Sequence, residues 1–431
     1  MKLQKIYSGD WKETLYLGEH ESGLGVFIIP KPGFIKKYAM FGTRYGSVDN
    51  TFIPLGKTEK IQVPDGIAHF LEHKMFEQPD GSNAFDLFSK YGANANAFTS
   101  FTSTCYLFSC TGHFDENLAH LLSYVQEPYF TDENVAKEQG IIGQEIRMYD
   151  DDPEWQVQFG LLKALYENNP VKLDIAGTIE SISHIDKEVL YTCYNTFYNP
   201  ANMVLCVAGD VDPEKIAALL DTHIQKGRPS GRVESFYPAE PARVHQTLRE
   251  QRLEVSIPLF DIGFKDNAPE TGEALLKNEI AAKLLLKILA GRSSELYASL
   301  YQEGLVNASF STDLMMEPQF SCAIVGGESQ QPLQVQQRLL QAIADIRENG
   351  PDRQAFAHAK KALYGNFLRC FNDVEDIAGM FTRNILNGVN IFRFKTLLDQ
   401  VDEAFAMAWF NRVFTEENMA MSIVWPADRQ S

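Results

Sequence analysis

The spacing of apolar and polar positions divides the first half of the chain into short strands and helices. Gly25 to Pro30 (GVFIIP) is a continuous apolar, β-rich run that predicts a strand. Tyr38 to Tyr45 predicts another, followed by a polar, turn-rich loop. Between Asp65 and Phe76 the residues Ile67, Phe70, Leu71, Met75 and Phe76 recur at close to helical spacing. Asp80 to Tyr91 predicts a second helix, and Ala95 to Cys110, rich in Thr, Phe, Tyr and Cys, reads as two strand segments. Asp115 to Tyr124 and Asp132 to Tyr149 predict helices. Asp132 and Glu133 load the start of the latter, where the helix dipole favours negative charge.

Periodicity fades over residues 227–246 (GRPSGRVESFYPAEPARVHQ), where Pro, Gly, Ser and Arg replace it. This segment is expected to link an N-terminal domain, 1–226, to a C-terminal domain, 247–431; the alternative is a long surface loop within one domain. A length of 431 residues suits two domains of about 200 each. A short internal echo points the same way. Asn202-Met203 leads into an apolar run, VLCVAGDV, and Asn418-Met419 leads into AMSIVW, 216 residues later. Each pair ends a helix-like segment and opens a strand, as the last strand of a unit used twice would.

Composition narrows the classes. Apolar residues make up 45% and charged residues 22%, the balance of a globular protein rather than a disordered one. The formal net charge of -18 repels phosphate backbones, so nucleic acid is not an expected partner. The N-terminus has no apolar signal core, and no run approaches the roughly 20 apolar residues of a membrane span. The cysteines are scattered without a CxxC pair, which indicates neither a disulfide framework nor a thiolate zinc site. These features together read as cytoplasmic.

Chemistry concentrates in Gly66-Ile67-Ala68-His69-Phe70-Leu71-Glu72-His73. His69 and His73, four apart on a helix, stack on one face and can grip one Zn²⁺. Glu72 points near the same face and is positioned to act as a general base on water beside the metal. This is the H-x-x-E-H order, reversed relative to H-E-x-x-H. A catalytic zinc site needs a third protein ligand. Glu138 and Glu145, seven apart and so on one helical face, border an apolar stripe of Ile141, Ile142 and Ile146. Carboxylates there are costly unless paired or metal-bound. No GxSxG elbow, Walker loop or GxGxxG after a strand competes with this site.

These residues resemble the M16 metallopeptidases, the family of insulysin, pitrilysin and the mitochondrial processing peptidase. GIAHFLEHKMF is similar to the family's zinc helix. GANANAFTSFTSTCY is similar to its substrate-binding edge strand, EIRMYDDDP follows the ligand Glu as in the family, and YNPANMVLCVAGDVDPE resembles the end of its first domain. The resemblance implies an α+β fold of two homologous α/β-sandwich domains, each a mainly antiparallel sheet covered by helices. It implies one zinc ion per chain on His69, His73 and Glu145, with Glu72 as the base. Glu138 would be a carboxylate behind the metal orienting a ligand, and Asn96, Ala97 and Phe98 would meet the peptide.

One stretch departs from the family. Members that complete their own site carry an Arg and a downstream Tyr in a pattern like L-R-E-x-x-G-L-x-Y. Here the corresponding residues are Tyr301 and Asn307. The expected function is therefore a zinc endopeptidase for short or unfolded peptides, completed by a homologous partner subunit in a heterodimer, with a homodimer as the other arrangement. The alternative is a non-catalytic or dedicated peptide-binding or processing subunit.

Overall fold

Strands form both at apolar runs such as GVFIIP and at polar, alternating stretches such as KLQKIYS and LREQRL. They are β1 (Lys2–Ser8), β2 (Glu13–Glu19), β3 (Gly25–Pro30), β4 (Lys37–Thr43), β5 (Thr51–Ile53), β6 (Ile61–Gln62), β7 (Asn94–Thr99), β8 (Thr104–Cys110), β9 (Met203–Gly209) and β10 (Glu234–Ser235). Further along are β11 (Leu248–Leu253), β12 (Leu259–Lys265), β13 (Ser311–Glu317), β14 (Phe320–Glu328) and β15 (Met419–Pro426). The computed structural model describes residues 1–9, 11–267 and 270–427. The chain divides into two units, each discontinuous in sequence. One comprises Met1–Ile146, Asp174–Tyr237 and Leu368–Ile391; the other comprises Arg147–Leu173, Pro238–Phe367 and Phe392–Ser431. Residues 227–246 hold β10, which pairs with β5, and the division falls between Tyr237 and Pro238.

The first unit is built on a seven-stranded sheet in the order β1-β2-β3-β9-β4-β8-β7. Only the β3–β9 pairing is parallel. β9 (MVLCVAG) is buried along its whole length, because it sits mid-sheet with both faces covered. β7 (NANAFT) is an edge and alternates exposed with half-buried positions. With a period of two, Ala39 and Phe41 of β4 face the core that also holds Phe70, Leu71, Tyr106 and Leu205. Gly42, the next residue along β4, faces Thr382 and Leu386 of the Val374–Leu386 helix, which lies on β4 and β9.

The second unit has a five-stranded sheet in the order β11-β15-β12-β14-β13. Again one pairing, β11–β15, is parallel. The Pro153–Leu165 helix lies on β12 and β15, close enough that Gly160 stands against Ser422 and Gly263 beneath Leu161 and Leu165. The Gly272–Ala290 helix packs on β13 and β14. The strand sequence β11-β15-β12-β14-β13 repeats β3-β9-β4-β8-β7 in order and direction. The two Asn-Met pairs occupy matching places: Met203 opens β9 and Met419 opens β15, each after a short 3-10 turn. Each unit is thus a mainly antiparallel sheet covered by helices. Among the described residues no helix is long and apolar enough to cross a membrane.

Candidate metal centre

The Ile67–Lys74 helix positions the motif. Ile67, Phe70 and Leu71 are buried in the core of the first unit, which leaves His69 and His73 half-buried on another face. Full burial of each large apolar side chain contributes about 1.5–3 kcal/mol, so the helix is held from below rather than by its own propensity. Its N-terminus depends on Gly66, which has φ 88° and no side-chain cap. A Cβ at Gly66 would collide with the Ala176 carbonyl, and Gly177, at φ 78°, stands against Asp65 in the same crossing. We expect Gly66→Ala to cost about 3 kcal/mol or more, combining left-handed strain with a backbone clash. Urea unfolding of the variant against wild type measures it.

The third residue arrives on the Asp132–Asp150 helix. His69, His73 and Glu145 each offer a ligand atom, and these atoms lie within 4.8 Å of one another. The Nε2 of His69 is 3.5 Å from Glu145 Oε1, and the Nε2 of His73 is 3.6 Å from Glu145 Oε2. Those spans are long for hydrogen bonds but close to the roughly 3.4 Å edge of a tetrahedron with ligands at about 2.1 Å. Two imidazole nitrogens and a carboxylate are also a donor set that suits zinc. Burial, with His73 adding to it, pushes His69 down to about 3, so its imidazole is held neutral as a ligand must be. The residues present therefore fit the metal. Among the described residues this is the only His/Cys/Asp/Glu group gathered in this way.

Carboxylates frame the two histidines differently. Glu138, buried on the same helix as Glu145, engages His73 Nδ1 through Oε1 at 3.0 Å. That contact puts the Nδ1 proton toward Glu138 and leaves Nε2 for the cluster. Burial disfavours the charge on Glu138, but the hydrogen bonds and charges of His73 and Lys74 outweigh it and hold the carboxyl below its ordinary value. His69 Nδ1 is buried and finds no hydrogen-bond partner among the described residues, so only one imidazole is oriented by a carboxylate. Glu72 lies beside the cluster, 8% exposed, and accepts a hydrogen bond from Thr99 Oγ1 at 2.6 Å. Burial pushes Glu72 above its ordinary value with Glu145 adding to it, while Thr99 and His73 restrain the rise.

A cavity of about 420 Å³ opens next to Glu72 and His73, with Phe76, Phe85 and Ile141 among its walls. Asn96 and Ala97 of β7 line it; Phe98, 42% exposed, lies outside it. Ile141 is itself exposed and borders this cavity, whereas Ile142 and Ile146 are buried. In the second unit Tyr301 lies in the last turn of the Glu295–Gln302 helix, half exposed and stacked on Tyr297. Asn307 donates to Glu328 Oε2 at 2.6 Å and accepts from the Ser309 backbone and hydroxyl. Two residues of the site escaped sequence reasoning. Thr99 had as its signal only its place in the NANAFT edge strand, and Lys74 follows the motif directly but reads as an ordinary helix-end lysine.

Residues 52–179 match the family described as "Insulinase (Peptidase family M16)", and residues 184–363 match "Peptidase M16 inactive domain". A Bacillus subtilis (strain 168) protein named as the uncharacterized zinc protease YmfH is 45% identical over 395 residues, spanning 90% of this chain and 91% of its own. The crystal structure of an M16-like chain from Alicyclobacillus acidocaldarius superimposes with a TM-score of 0.93 at 35% identity, covering 99% of both chains. A Pseudomonas fluorescens structure described as a peptidase M16 inactive domain shares the fold, with a TM-score of 0.78 at 15% identity over 100% of this chain and 99% of that one. With identity this high across nearly the whole length, the chain belongs to the M16 peptidase family.

Proposed function

We propose that this chain is a zinc-dependent endopeptidase for short or unfolded peptides. The observation that supports it most is the convergence of His69 Nε2, His73 Nε2 and the Glu145 carboxylate beside a buried, oriented Glu72. A zinc ion held by His69, His73 and Glu145 would act as a Lewis acid, polarising the scissile carbonyl and bringing the pKa of water to about 7. Glu72 takes the proton of the attacking water and passes it to the leaving amine, with Thr99 fixing one carboxylate oxygen while the other works. Glu138 keeps His73 in the tautomer that offers Nε2. The direct test is hydrolysis of a pool of unstructured peptides with bound zinc quantified in the same samples. Zinc near one per chain with turnover supports the reading, and absence of zinc removes it.

The peptide is held as an added strand on β7. The Ala97 N–H donates not to β8 but to the Asn96 side chain, whose Oδ1 lies 2.9 Å away. A backbone donor turned out of the sheet is what an incoming strand pairs with, and Asn96 shields it meanwhile. Ala97→Pro deletes that donor without removing a β7–β8 hydrogen bond. The expected outcome is about tenfold weaker peptide binding, the worth of one backbone hydrogen bond. KM for a fluorogenic peptide rises while zinc content and melting temperature stay at wild-type values.

The residues at positions 301 and 307 favour a second arrangement of the same chemistry. Asn307, in the place of the family's Tyr, is committed to Glu328 and Ser309, and Tyr301 stands in the place of the Arg. A homologous partner subunit would then supply the groups that hold the developing oxyanion. Full activity of the purified chain alone would rule this out.

A further inference from the structure

Lys74 is the anomaly of the site. Its side chain is 0% exposed, yet it carries an ammonium. Burying such a charge costs several kcal/mol, and a buried ion pair is often no more stabilising than apolar residues of the same volume. Stability alone therefore gives no specific reason for an ammonium here.

Its partners show what the charge does. Lys74 Nζ pairs with Glu77 Oε2 and stands 3.6 Å from Glu138 Oε2. The other oxygen of Glu138 engages His73 Nδ1 at 3.0 Å. The two oxygens of Glu138 are thus divided between one ammonium and one imidazole. A carboxylate anchored at one oxygen alone can turn about its terminal torsion, which has only a broad preference. Anchored at both, it presents Oε1 to His73 in one orientation.

We propose that Lys74 is a positioning residue of the metal centre: through Glu138 it sets the ring orientation and tautomer of His73, with Glu77 holding the ammonium from its far side. This rests on the zinc-site reading above. The chain Glu77–Lys74–Glu138–His73 runs from a wall of the 420 Å³ cavity, which Glu77 lines, to a metal ligand.

The test removes the ion pair without changing net charge. Lys74→Met with Glu77→Gln deletes one positive and one negative group, so Coulomb attraction for a dication is unaltered to first order and no unpaired ammonium is left buried. Zinc affinity is measured by competition with a chromogenic chelator, alongside thermal unfolding of the metal-free proteins. The expected loss is about tenfold, the lower end for groups that orient a metal ligand. In a Glu138→Gln background the same pair of changes should alter affinity by about twofold or less, because residues acting through one path are not additive. A structural role alone would give equal losses in both backgrounds, or a lower melting temperature with unchanged affinity, and either result overturns the proposal. If the wild type itself binds no zinc, the metal centre fails and the role of Lys74 with it. The wild-type titration therefore separates that failure from failure of the Lys74 assignment.

Discussion

Glu72→Gln is expected to keep its zinc and to lose peptide hydrolysis by about 10²–10⁴-fold, the range of a positioned general base. The substitution preserves shape, and its amide oxygen can still accept the Thr99 hydroxyl that now reaches Oε2 at 2.6 Å. What it cannot do is take a proton. Burial and the neighbouring Glu145 push the Glu72 carboxyl upward from its ordinary value, toward the range where a base both accepts a proton and returns it. The same burial makes the substitution well tolerated, since a neutral amide at 8% exposure costs less than a carboxylate. The variant should therefore melt no lower than wild type, bind zinc at one per chain and bind peptide on β7. Steady-state kinetics would show the loss in kcat with KM nearly unchanged. An unimpaired kcat would mean that another group moves the proton.

Much of this site was legible because its residues are local. His69, Glu72 and His73 share one short helix, and the four-residue spacing of the histidines is enough to place both rings on one face. Glu145 lies far along the chain, yet two carboxylates seven apart beside an apolar stripe marked its helix as unusual. The strand and helix segments expected between Gly25 and Tyr149 appear close to where periodicity put them. Thr99 was hidden because the partner of a strand hydroxyl depends on sheet register and on the helix above it. Of the apolar stripe Ile141, Ile142 and Ile146, Ile141 turns to the cavity, a difference of one helical position that only packing decides. The helices Pro153–Leu165 and Val374–Leu386 show the wider limit. Each is amphipathic enough to need a sheet, and nothing in its pattern says which one: the former covers β12 and β15, the latter β4 and β9.

Glu145→Gln is expected to weaken zinc binding by more than about 100-fold, beyond what loss of an orienting group produces. The geometry separates it from Glu138, its neighbour two turns back. Glu138 addresses His73 Nδ1, the far side of the ring, while the two oxygens of Glu145 face the Nε2 atoms of both histidines. Only Glu145 therefore closes the cluster. In the metal-free protein its charge works against Glu72, raising that carboxyl, so removing the charge relieves crowding. The metal-free variant should melt at or slightly above the metal-free wild type. The contrast appears when zinc is added. A ligand at 1,000 times its Kd stabilises the folded state by about 4.1 kcal/mol, and the wild type should show an upward shift of that order. The variant should show almost none at the same free zinc. Equal shifts in both proteins would move the third ligand to a different carboxylate. Since Glu138 is turned to Nδ1, that outcome would require its carboxylate to leave His73 Nδ1 and swing to the Nε2 side when metal is bound.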